Sequence, residues 1–489
     1  MSLLVGDLLD RGLRSSPSAC AATLGDDAVS YLHLDRAAAG ATAALAELGV
    51  RRGDLVAWWT APSFAGLAGF LACARLGAVF APLPPRATDE EMAAALGVLR
   101  PVRLVADDPR QPRAERLADP ATVVPWALLT RPAPDSRPPG RVAEDDPHIA
   151  YLTSGSTGRP KAALVSHRAS WLRSAPGGGT FSTPLRGDGG IVCTFPLYHY
   201  GGWHYVMEAW LSIRPVHLVD RPDAALVVDA VERWRPSAIY CIPAVWERLL
   251  DPAFAHHDLS SLRHCDTGTS AVSADLVRRI KARVPGSTTS ILYGSTEAGR
   301  MAALPDWEHE QHPGSVGRAA FPGSLWLDPD GEVCVSTPAM MSGYLGDPEA
   351  TEAVLRDGVY RSGDVGVLDD DGYLTLVGRS TELIRTGGEF VAPVEVETAL
   401  RSHPGVADVA VVGVADPLFG QRVCAVVVPR GTPGPTLQEL RDHTAGRLSA
   451  HKQPRRLELV VALPRTSATG QVRRAEIRQR LESGDDAPV

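Results

Sequence analysis

The chain has 489 residues, more than the ~250–300 that one hydrophobic core serves, so two or more domains are expected. A net charge of −8, with 44% hydrophobic and 22% charged residues, excludes wholesale disorder and the concentrated basic face of a nucleic-acid-binding protein. Seven cysteines, far apart and never in a CxxC pair, exclude a disulfide framework and a cysteine zinc site and point to a reducing compartment.

The N-terminus, MSLLVGDLLDRG, carries acids where a signal peptide would carry a basic region. The most apolar stretch, FAGLAGFLACARLGAVFAPL, is interrupted by glycines and Arg75 before it reaches the ~20 clean residues of a membrane span. It reads as a buried helix running into a strand, and the protein as cytoplasmic with no membrane partner. From Arg51 the pattern alternates: DLVAWWT as strand, SFAGLAGFLACARLG as helix, AVFAPL as strand, DEEMAAALGVLR as helix, RLVA as strand. That rhythm predicts βαβ units and a largely parallel sheet. Residues 131–147, rich in proline and charge, read as a surface connection, after which the strand HIAYLT runs into a loop of glycines and hydroxyls.

Alternation continues to about Tyr293. Beyond it, short strands separated by turn residues such as Asp328-Pro329-Asp330-Gly331 predict an antiparallel β region. After Arg379 a helix and strand, VAPVEVETALRSHPGVADVAVVGVAD, open a segment of domain size. The expected fold is therefore α/β, with a domain at 1–379 and a second at 380–489.

The loop TSGSTGRPK, Thr153 to Lys161, carries the first chemistry. Thr153, Ser154, Gly155, Ser156, Thr157 and Gly158 offer backbone N–H groups and hydroxyls without bulk, a concavity suited to phosphate oxygens. Lys161 would add a full charge, and it is one of only three lysines beside 46 arginines. The GxxxxGK[ST] spacing of a Walker loop is absent. A second cluster, Tyr198, His199, Tyr200, Trp203, His204 and Tyr205, places six rings within eight residues of a chain that is 6% Phe, Trp and Tyr. Flat walls favour a flat ligand.

YLTSGSTGRPKAALVSH resembles the phosphate loop of the adenylate-forming superfamily, which includes acyl- and aryl-CoA synthetases, adenylation domains and luciferases. FPLYHYGG, YGSTEAG, GSVGR, GYLGDPEAT, YRSGDVG, DGYLTLVGR, IRTGGEFVAPVEVE and LPRTSATGQVRR follow in that family's order. The resemblance implies a large N-terminal domain of layered αβ subdomains with a distorted β-barrel region, and a small mobile α+β C-terminal domain rotating about Thr381. It implies ATP, Mg²⁺ and CoA, or a separate carrier protein as acceptor.

The roles implied are specific. Glu297 is similar to the magnesium ligand, a hard oxygen donor for a hard cation, and Thr296 to the residue that bonds the α-phosphate. Gly268, Thr269, Ser270, Tyr293 and Gly294 fall where adenine is enclosed, Asp364 and Arg379 where the ribose is held. His199 matches the residue near the substrate carboxylate. Tyr198, Tyr200, Gly201, Trp203, Gly268 and Gly294 match the acyl pocket, and Gly387 and Gly388 a pantetheine tunnel. An aryl or arylacrylic acid is the expected substrate.

One position departs from the pattern. Where LPRTxxGK brings a lysine to the reacting carboxylate and phosphate, this chain has Gln471. A neutral amide cannot offset the charge that develops as two anions meet. The change is either imposed on an otherwise intact motif, or natural with Arg473 or Arg465 standing in, or the mark of another reaction, such as ATP-dependent diazotisation in which nitrite is activated toward an aryl amine. A nucleotide-binding homologue without turnover is the rival reading.

Overall fold

The computed structural model describes residues 3–129, 142–154, 160–175, 189–386, 389–465 and 470–483. Most of the 131–147 connection, Gly155 to Gly158, and Gly387 with Gly388 therefore lie outside the described residues. By packing, the chain divides into two compact units, one formed by Met1–Leu325 and Val335–Tyr360, the other by Trp326–Cys334 and Arg361–Val489. Within the second unit, residues 364–368 of strand Val359–Leu368 pair with strand Leu374–Arg379.

The first unit is built on two sheets. In one, seven strands run in the order 343–344, 160–166, 147–154, 79–82, 55–59, 103–106, 123–125. The alternating elements read from the sequence are its centre: Leu55–Trp59, Val79–Pro82 and Arg103–Ala106 pair in parallel, linked by helices Phe64–Leu76 and Asp89–Leu99. Local chemistry sets the helix ends. The Ser63 hydroxyl accepts from Gly66 N–H, Gly77 ends the first helix at φ 69°, and Thr88 with Glu91 forms a reciprocal capping box on the second. The other sheet has nine strands, in the order 318–319, 299–304, 291–295, 264–268, 238–240, 191–193, 216–218, 20–24, 27–30. Its centre is parallel and its margins antiparallel.

Helix Tyr200–Leu211 packs on these layers and splits the aromatic cluster. Trp203 is 1% exposed, stacks on Phe70 with ring centroids 3.9 Å apart and meets Phe80 edge-on. The helix turns about 200° between Trp203 and Tyr205, so the two rings serve opposite faces.

In the second unit, strands Val406–Asp416 and Gly420–Pro429 form a long antiparallel pair beside helix Pro393–Arg401. The buried Glu397 carboxylate receives Arg474 in a bidentate pair that docks helix Arg474–Ser483. In the region of short strands expected after Tyr293, residues 364–368 of strand Val359–Leu368 pair antiparallel with strand Leu374–Arg379. No helix among the described residues is long and apolar enough to cross a membrane.

Candidate active site

Strands Pro147–Ser154 and Pro160–Ser166 pair antiparallel and place Thr153 opposite Lys161. The loop that joins them is outside the described residues, but its two ends are fixed by this ladder. On the far side of the second strand lies Gly343–Tyr344, with Tyr344 paired to Ala163. Lys161 and Ala163 share a strand face, since side chains repeat every two residues. Lys161 Nζ therefore sits over the Tyr344 ring, 5.1 Å from its centroid. The Tyr344 hydroxyl in turn donates to Glu297 Oε1 at 2.8 Å, and the Tyr360 hydroxyl donates to Oε2 at 3.4 Å. The expected cation and the expected metal-binding carboxylate thus belong to one assembly.

Glu297 owes its position to a tight hairpin. Strands Ile291–Ser295 and Gly299–Leu304 are joined by only Thr296, Glu297 and Ala298, and Gly299 closes the turn at φ 74°, the left-handed residue such a three-residue loop needs. Gly294 is required by close passage, since a Cβ there would meet the Gly299 carbonyl oxygen at 2.2 Å. Arg173, from helix His167–Ser174, holds the turn from beneath. Its guanidinium donates to the carbonyls of Thr296 at 2.9 Å, Glu297 at 2.8 Å and Ala339 at 2.6 Å, with the Tyr200 ring 5.0 Å away.

Gly268, Thr269 and Ser270 follow strand His264–Gly268. Gly268 has φ 151°, and a Cβ there would strike the Leu292 carbonyl oxygen at 2.0 Å. Thr269 adopts φ 70°, a strained state for a β-branched residue, and its hydroxyl lies 3.0 Å from that of Tyr240. Thr269, Ser270 and Gly294 are exposed, whereas Tyr293 is buried.

His199 is the residue before helix Tyr200–Leu211. Its Nε2 is buried and has no hydrogen-bond partner among the described residues, and burial pushes its pKa down to about 4. The ring is therefore neutral at pH 7. Tyr198 lies beside it at 4.5 Å between centroids. Gly201 makes room for Phe195, whose ring a Cβ would meet at 2.9 Å.

The second unit carries the remaining expected residues. Asp364 and Arg379 face each other across a hairpin, with Arg379 Nε 3.0 Å from Asp364 Oδ1. Gln471 is exposed and follows Gly470 at φ 65°. Arg465 is engaged with Asp408 at 2.5 Å and with the Gly470 carbonyl at 2.6 Å, and Arg473 lies 3.6 Å from Glu476.

Among the described residues no group of three or more His, Cys, Asp and Glu could cage a metal. A single oriented carboxylate is nevertheless the donor set that suits Mg²⁺, which keeps waters and takes most of its other ligands from substrate phosphates. Arg173, Tyr344 and Tyr360 were not singled out from the sequence. The two tyrosines lie inside the quoted motifs GYLGDPEAT and YRSGDVG, whereas Arg173 has no local signal because it acts on carbonyls more than 120 residues away.

The AMP-binding enzyme family matches residues 9–345, and the AMP-binding enzyme C-terminal domain matches residues 395–469. Feruloyl-CoA synthase of Amycolatopsis sp is 35% identical over 491 residues, covering 96% of this chain and 98% of that protein. Indoleacetate--CoA ligase of Aromatoleum aromaticum is 34% identical over 505 residues, covering 97% and 98%. Among solved structures, ATP-bound MatB from Rhodopseudomonas palustris superposes with a TM-score of 0.87 at 26% identity, over 98% of this chain and 99% of that one. The first matched segment contains the Lys161–Tyr344–Glu297 assembly and the second the strand pair Val406–Asp416 and Gly420–Pro429, and on these grounds the chain belongs to the AMP-binding enzyme family.

Proposed function

We propose that this protein is an AMP-forming acid–CoA ligase that activates an aromatic carboxylic acid as its acyl-adenylate and then transfers the acyl group to CoA. In the first step a carboxylate oxygen attacks the α-phosphorus of ATP, and the bond to the β-phosphate breaks with pyrophosphate as leaving group. In the second the CoA thiol adds to the acyl carbonyl and AMP departs. Meeting of two anions makes cationic support the first demand on the site. The observation that carries the reading is the placement of Lys161 over Tyr344, whose hydroxyl is bonded to Glu297.

Lys161 and the amides of the loop before it would hold the triphosphate, with Thr296 bonding the α-phosphate. Glu297 would hold Mg²⁺, oriented by Tyr344 and Tyr360, and the metal supplies charge neutralisation on the phosphate oxygens. His199, neutral and with a free ring nitrogen in a buried setting, would receive or donate one hydrogen bond at the substrate carboxylate. Asp364 would take the ribose hydroxyls with Arg379 beside it. The segment 380–489 would move as a lid about Thr381 between the two steps, bringing Gln471 to the site in the first and Gly387 with Gly388 to the pantetheine in the second.

Gln471 would donate a hydrogen bond but no charge, so the first step is slower than a lysine would allow. The acceptor is CoA, with a separate carrier protein as the variant worth assaying. Pyrophosphate release from ATP with a panel of benzoates, cinnamates and arylacetates tests the reading. Release with at least one aromatic acid, followed by a CoA thioester, is expected. No release with any acid, by a protein that still binds ATP, would contradict it.

A further inference from the structure

Behind Gly268 and Thr269 lies a cavity of about 20 Å³, room for one water-sized group. Tyr205, Glu208, Tyr240, Asp266 and Arg300 line it between apolar strand residues. It adjoins the site already described: the Tyr240 hydroxyl contacts Thr269, and Glu208 stands on the helix that His199 precedes.

Two carboxyls and a guanidinium, Glu208, Asp266 and Arg300, lie in this aromatic-walled interior with His264 beside them. Arg300 donates to His204 Nε2 at 3.0 Å, which fixes that nitrogen as an acceptor. Glu208 Oε2 lies 3.5 Å from the same nitrogen, and the Glu208 carboxyl accepts no hydrogen bond among the described residues. Asp266 accepts the Ser290 N–H at 2.7 Å and is also hydrogen-bonded by the Ser290 side chain. Burial, opposed by Arg300, pushes Glu208 up to about 7 and Asp266 to about 6. Two carboxyls thus converge on one cavity, and of the two it is Glu208 that has no hydrogen-bond donor among the described residues. An apolar ring end would leave Glu208 unsatisfied, a hydroxyl would serve one carboxyl, and an amino group offers a hydrogen to each.

Building on the acid-activating reading above, we infer that this cavity selects an aromatic acid whose ring carries an amino group at the end remote from its carboxylate, with Glu208 and Asp266 as the accepting residues. The test is calorimetric titration of the full-length protein, with and without Mg²⁺ and a non-hydrolysable ATP analogue, using 3- and 4-aminocinnamate, 4-hydroxycinnamate and cinnamate. An aminocinnamate is expected to bind at least about 10-fold more tightly than cinnamate, and Glu208→Leu to shrink that ratio to within about 3-fold by loss of aminocinnamate binding. Glu208→Gln, which keeps an acceptor and the shape, is expected to retain part of the preference, and it serves should the leucine variant fold poorly.

Equal binding of all four acids by the wild-type protein, tighter binding of cinnamate, or no binding of any would overturn the inference. Preferential binding without pyrophosphate release would sink the acid-activation reading and leave this one standing. Pyrophosphate release at equal kcat/KM for all four acids would do the reverse.

Discussion

Replacing Arg173 by methionine would remove the support beneath the turn that carries Glu297. Arg173 lies buried, 5% exposed, and satisfies three main-chain carbonyls, two of them those of Thr296 and Glu297. Each hydrogen bond from a charged donor is worth about 1.5–3 kcal/mol. Removing the guanidinium also ends its own desolvation, which already draws its pKa downward, so the full sum is not lost. Breaking one side of a comparable buried charged contact costs about 3–5 kcal/mol, and the same range is expected here. Arg173→Lys should recover only part, because an ammonium lacks the planar fork that spans separate carbonyls. The assay is guanidinium denaturation followed by tryptophan fluorescence, paired with Mg²⁺-dependent pyrophosphate release. A fall in midpoint together with a rise in the Mg²⁺ requirement is expected. A methionine variant within about 0.5 kcal/mol of wild type and with unchanged Mg²⁺ dependence would refute the reasoning.

Three further outcomes are expected. Tyr344→Phe, which deletes the donor to Glu297 at 2.8 Å, should raise the Mg²⁺ concentration for half-maximal rate about 10-fold, read from initial-rate titrations; an unchanged requirement would separate Tyr344 from the metal site. Glu208 titrates near 7 in the folded protein against an ordinary 4.5, so the folded state binds the extra proton, and stability from this group is complete below about pH 4.5 and lost as pH rises through 7, by about 3 kcal/mol in all. Glu208→Gln should therefore gain stability relative to wild type between pH 5 and pH 8, seen as converging or crossing melting curves; a constant difference would contradict it. Gln471→Lys should accelerate adenylation about 100-fold while leaving the reaction of pre-made acyl-adenylate with CoA near its original rate, and equal change in both steps would count against the role given to residue 471.

Much of the first unit was legible because its signals are local. The run from Leu55 to Ala106 alternates βαβ elements whose caps, Ser63, Gly77, Thr88 and Glu91, sit within three residues of the ends they fix. Asp364 and Arg379 were named together on the resemblance alone, and one hairpin register sets them opposite each other. What was not legible was arrangement across distance. The ring-rich segment folds as a helix with two faces, on which Trp203 and Trp210 are fully buried. Arg173 was invisible because its partners are carbonyls that every residue possesses. Glu208 had a faint signal, one acid within the apolar run YVMEAWL, but its meaning depends on Asp266 and Arg300, which only the sheet brings near.

The most direct measurement is calorimetric titration of MgATP into the wild-type protein, Lys161→Ala and Glu297→Gln. The account predicts saturable binding by the wild type, at least about 10-fold weaker binding by Lys161→Ala through loss of a charge-assisted phosphate contact, and a loss for Glu297→Gln that disappears when ATP is titrated without Mg²⁺. Wild-type protein that takes up no MgATP, or three proteins that bind it alike, would contradict it.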